Sequence, residues 1–147
     1  MLVVYQGKAA TMRTDTTPTL GRNFSQRLAD RLANSLSSQN VPSETAGTDE
    51  SAIDRAAPVR TAADRFGPKQ LLYATISQIS SSSTVHWADA NDLPYYTHDV
   101  VITLEFAVTD VASDKTVWRA VVNFYSAPRV ETVADQVLSE LHKARLL

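Results

Sequence analysis

At 147 residues the chain is the length of one domain, and an apolar content of 44% is enough to bury a sizeable core. A net charge of −2 excludes the positive field that recruits nucleic acid or an anionic membrane surface. The lack of any cysteine excludes disulfides, thiolate chemistry, iron–sulfur clusters and cysteine-ligated zinc, and no run reaches the roughly 20 apolar residues that span a bilayer.

Leu2 to Gln6 reads as a short strand that Gly7 ends. A core strand this close to Met1 carries the expectation that a targeting segment has been removed, with any cysteine it held. Lys8 to Pro18 is polar and threonine-rich, as a loop is. Thr19 is placed to cap a helix over Leu20 to Ser38, where Leu20, Phe24, Leu28, Leu32 and Leu36 recur every four residues. Burying each such side chain contributes roughly 1.5–3 kcal/mol before entropy. Arg22, Arg27, Asp30 and Arg31 mark the wet face. Ser37 to Ser51 reads as an exposed connection. A short helix over Val59 to Phe66 stops at Gly67-Pro68.

The strand Leu71 to Ile79 places Leu72, Ala74 and Ile76 on one face and Tyr73, Thr75 and Ser77 on the other. Ser80 to Ser83 either continue it or open a flexible edge. Ala88 to Tyr96 reads as a loop around Asn91-Asp92 and Pro94. A long strand then starts at His98, with Ile102, Leu104, Phe106 and Val108 on its core face. Across the turn Ala112-Ser113-Asp114-Lys115, Trp118, Ala120, Val122 and Phe124 share the core face of the returning strand. Val101, Ala107, Val117 and Val121 leave the outer face mixed in character. A helix through Val130, Val133, Val137, Leu138 and Leu141 closes the chain. The order β-α-(α)-β-β-β-α predicts a single α+β domain over residues 1–147: a two-layer sandwich of a mostly antiparallel four-stranded sheet, two long helices and one short helix.

No motif carries recognisable chemistry. The four glycines, Gly7, Gly21, Gly47 and Gly67, are too scattered to cradle a phosphate. No serine stands in a nucleophile elbow or a Ser-x-x-Lys pattern. The expectation is therefore a protein with no catalytic residues, cofactor or metal. An alternative is a small metal-binding or hydrolytic protein using His86, His98 and Asp89, should a hairpin bring them together. His142 suits the C-terminal end of the last helix. Trp87, Tyr95 and Tyr96 stand among polar residues, and such loop aromatics supply contact energy at protein interfaces. They are the candidate partner-binding residues. A third alternative is a self-associating module built on the sheet face or an edge strand.

The stretch Asp110 to Ala120, Asp-Val-Ala-Ser-Asp-Lys-Thr-Val-Trp-Arg-Ala, resembles a turn of small bacterial cell-envelope lipoproteins of α/β type, such as auxiliary lipoproteins of ABC-type transport systems. The long helix and the strand Leu71-Leu72-Tyr73-Ala74-Thr75-Ile76 extend the likeness loosely over most of the chain. The resemblance implies a periplasmic component, anchored to the outer membrane by lipid, that binds an envelope protein in transport or assembly machinery, or a homo-oligomer. The chain departs from the pattern in lacking a lipid-accepting cysteine.

Overall fold

The computed structural model describes residues 1–5, 24–49, 52–86, 95–126 and 128–147. The described elements run β1 (Leu2–Tyr5), α1 (Phe24–Ser38), β2 (Glu44–Gly47), α2 (Ala57–Phe66), β3 (Gln70–His86), β4 (Tyr95–Asp110), β5 (Lys115–Phe124) and α3 (Val130–Lys143). They form one five-stranded sheet in the order β2-β1-β3-β4-β5. β1 is parallel to both its neighbours, whereas β3, β4 and β5 are antiparallel. The α+β class with three helices is as expected. The four-stranded, mostly antiparallel sheet is not: it is five-stranded and mixed.

The additional strand is β2, which lies inside the stretch read as an exposed connection. Glu44-Thr45-Ala46-Gly47 has no apolar alternation, and only Ala46 is buried. The backbone ladder to β1, from Leu2 opposite Glu44 to Tyr5 opposite Gly47, holds it in place. Gly47 suits this site because a Cβ there would stand 2.7 Å from Cζ of the Tyr5 ring, which would have to move aside.

This strand also explains the position of α2. The chain steps from β1 to β2 in one direction and from β2 back past β1 to β3 in the other. Right-handed crossovers in opposite directions put their helices on opposite faces of the sheet. Burial shows that arrangement. Val3, Leu72 and Ala74 join the core beneath α1 and α3, while Leu2, Val4 and Ala46 form a second, small core with Val59 of α2. The expected two layers are therefore three at this end of the sheet.

The main core follows the helical and strand periods directly. Leu28, Leu32 and Leu36 of α1 and Val133, Val137 and Leu141 of α3 cover Ile102, Leu104, Phe106 and Val108 of β4. All four β4 side chains are buried. Helix α2 ends as its sequence dictates: Gly67 takes a left-handed φ of 61° and its N–H donates to the Ala63 carbonyl at 2.8 Å. In α3, Glu131 in the first turn and His142 and Lys143 in the last turn complement the helix dipole. The described residues of α1 begin at Phe24, so the expected cap at Thr19 and the residues Leu20 to Arg22 lie outside them.

Candidate functional site

The feature that stands apart from the domain is an arm formed by β3 and β4. β5 pairs with β4 only as far as Ile102, opposite Phe124. The β3–β4 ladder runs on to His86 opposite Tyr95. Among the described strands, Ser80 to His86 and Tyr95 to Val101 thus have only each other as ladder neighbours. Their length amounts to about 20 Å of two-stranded ribbon. The serine run continues the strand rather than opening a flexible edge.

A bulge sets the faces of this arm. Ile76 stands opposite Leu104 and Gln78 opposite Thr103, so Ser77 is the extra residue. Its hydroxyl donates to the Thr103 carbonyl at 3.4 Å. The inserted residue shifts the alternation by one, which returns Ile79 to the core side, where it packs half-buried against the main core. Beyond Ile79 the burial ends: Ser80, Ser82, Ser83, Thr84 and Val85 are all exposed. His86 is half-buried, and its Nε2 lies 3.0 Å from Oγ1 of Thr97 on the same face of the ribbon.

The residues singled out from sequence fall as follows. Tyr95 and Tyr96 are strand residues of β4, opposite His86 and Val85, and not part of a loop. Trp87 and Asp89 lie outside the described residues. His98 stands opposite Ser83, an odd number of positions from the His86–Tyr95 pair. The register therefore assigns positions 86 and 98 to opposite faces and does not bring them together. Among the described residues no group of three potential metal ligands forms.

Sequence reasoning missed the arm as a unit, although its β-branched residues Thr84-Val85 and Val100-Val101 carried a strand signal.

Elsewhere on the described surface, polar side chains pair with one another. On the outer sheet face Arg119 pairs with Glu105 at 2.8 Å, and Thr103 donates to Asn123 at 2.9 Å. An open groove of about 530 Å³ is lined by Asp30, Ala33, Asn34, Ser43, Glu44 and Thr45. Several of its polar groups are engaged: Thr45 donates to Asp30 at 3.2 Å, and Arg65 holds Glu44. His142 contacts Gln39 at 2.7 Å, which ties α3 to the end of α1.

The shifted titrations have structural causes. Hydrogen bonds from the Ser113 hydroxyl and amide, at 2.7 and 2.8 Å, hold the Asp110 carboxyl below the usual carboxylate range and brace the β4–β5 turn. A hydrogen bond from Arg60 lowers Asp54 in the same way. Burial against the second core raises the Tyr73 phenol. None of these groups belongs to the arm.

No protein-family model matches the chain, and no curated protein matches it either. Solved structures do. A putative neuraminyllactose-binding hemagglutinin homolog from Helicobacter pylori is similar over 99% of this chain and 84% of its own, at TM-score 0.50 and 10% identity. That likeness shows a shared fold. Two further similar structures score lower. A PelC dodecamer from Paraburkholderia phytofirmans has TM-score 0.47 at 14% identity, covering 97% of this chain and 85% of its own. A lipoprotein from Neisseria meningitidis has TM-score 0.46 at 14% identity, covering 97% and 94%. Bacterial lipoproteins are thus among the similar structures. Among the described residues no helix is long and apolar enough to cross a membrane.

Proposed function

We propose that this chain is a non-catalytic component of the bacterial cell envelope that works by binding another protein, with the β3–β4 arm as its docking element. The arm is the observation that carries this reading. A two-stranded ribbon is marginally stable on its own in water, and where the core column of β3 would run on past Ile79 this one carries exposed Ser83 and Val85. A contact with a partner supplies the burial that the ribbon lacks. The fold shared with the Helicobacter pylori protein, described as a homolog of a hemagglutinin, is in keeping with a binding role. The envelope assignment is supported by the likeness of Asp110 to Ala120 to the turn of envelope lipoproteins, a stretch that here spans the end of β4, the turn and the start of β5. A periplasmic location, lipid anchoring to the outer membrane and a place in transport or assembly machinery are the finer parts of the same proposal.

The test uses the full gene in cells, with a photo-cross-linking residue at Ser82 on the arm or, as control, at exposed Asp64 on α2. A discrete adduct with one envelope protein at position 82, absent at position 64, is expected. Alanine at Trp87 together with Tyr96 then removes the adduct and leaves thermal stability nearly unchanged. Equal adducts at both positions, or a product confined to the cytosol, would overturn the proposal.

A further inference from the structure

We infer that the free edge of β5 pairs, antiparallel and across a two-fold axis, with β5 of a second copy of this chain. This surface is separate from the arm, and the inference does not rest on the docking role proposed for it.

The two edges of the sheet differ in exposure to pairing. β2 is four residues long and carries the Glu44–Arg65 ion pair at its start. β5 is ten residues long, and among the described residues no strand pairs with its outer backbone edge. Natural edges of this length are blunted by bulges, lysines and inward charges. On β5 those devices gather at one end: Lys115 opens the strand, and Val117 is a bulge residue between the pairs Thr109–Thr116 and Val108–Trp118. From Trp118 to Phe124 the only charge is Arg119, which its own Glu105 already pairs. The core-side column Trp118, Val122 and Phe124 packs against the main core yet stays only half-buried. This seven-residue, β-prone edge is open to pairing among the described residues.

The strand itself specifies which occupant. Trp118, Ala120, Val122 and Phe124 are symmetric about Val121. Centring a two-fold axis on Val121 places Trp118 opposite Phe124 of the second copy, Ala120 opposite Val122, and Val121 opposite itself. On the outer face Arg119 then meets Asn123, so no like charges oppose each other. Moving the axis to Arg119 sets two guanidiniums face to face. Centring it on Ala120 leaves Phe124 opposite Thr116, and centring it on Val122 leaves Trp118 opposite Ser126. Only the Val121-centred register pairs every core-side apolar residue with another, and it makes one continuous ten-stranded sheet.

Because the chain contains no cysteine, single cysteines read the register directly. Val121→Cys faces its own copy across the axis. Under mild oxidation it is expected to form a linked dimer much faster than Ser113→Cys on the exposed turn, and faster than Ala120→Cys or Val122→Cys. Val121→Lys, at a side chain 53% exposed in the single chain, is expected to weaken the dimer roughly tenfold in sedimentation velocity. Val85→Asp on the arm should leave the dimer intact, which separates failure of this inference from failure of the docking role. A parent protein that stays monomeric at high concentration would overturn the inference. So would cross-linking at position 121 no faster than at 113, or fastest at 120 or 122.

Discussion

At the β2–β1–β3 end of the sheet helices pack on both faces, α1 on one side and α2 on the other; at the β4–β5 end the described helices cover only one face. The sequences differ accordingly. β1 is an unbroken apolar run in which Leu2, Val3 and Val4 are all buried. β4 alternates, with Ile102, Leu104, Phe106 and Val108 buried and Thr103, Glu105 and Ala107 half-exposed between them. The covered end is fixed by burial. Among the described residues the open end keeps an uncovered face, an unpaired edge and a projecting arm, so the surfaces available to other molecules concentrate there.

The sharpest way to break this comparison is the same substitution at both ends, on the same side of the sheet. Val4→Thr buries a hydroxyl beneath α2 without a partner and is expected to cost roughly 1–3 kcal/mol in chemical denaturation. Val121→Thr, at an exposed position, should stay within about 0.5 kcal/mol. Equal costs would mean that the small core under α2 is not dry. A smaller effect tests how closely the covered end is packed. Gly47→Ala pushes a methyl into the Tyr5 ring and should cost on the order of 1 kcal/mol, a penalty that disappears in a Tyr5→Ala background. Persistence of the cost in the double variant would place the strain elsewhere.

The smallest effect concerns the turn at the open end. The Asp110 pKa is depressed in the folded state, so its contribution is fully present above the ordinary aspartate value and is lost as pH falls through the depressed one. Asp110→Asn should therefore remove this small contribution at neutral pH and flatten the acid limb of the stability profile below about pH 4, where the two proteins converge. An unaltered acid limb would show that Ser113 does not favour the ionised form.

Much of the framework was legible in the residues. Leu28, Leu32 and Leu36, the stop at Gly67, the alternation of β4 and the helix from Val130 each carry a local signal whose period or cap has one physical meaning. The candidate site was legible only in part. Ser80 to Ser83 belong to β3 because of their cross-strand partners, and serine has no strand preference to announce that. Tyr95 and Tyr96 looked like loop residues from the Asn91-Asp92 and Pro94 cluster before them, yet they pair with His86 and Val85. His86 and His98 seemed able to converge until the register set them on opposite faces.

By itself the sequence determined the helices, the alternating strands and the apolar core they share, because local period and burial preference act within a few residues. The tertiary structure alone decided that Glu44 to Gly47 is a strand, that α2 crosses to the other face, and that β3 and β4 run on beyond the sheet. Those outcomes depend on backbone ladders and crossover direction, and both are set by which distant segment lies alongside rather than by the side chains of the segment itself.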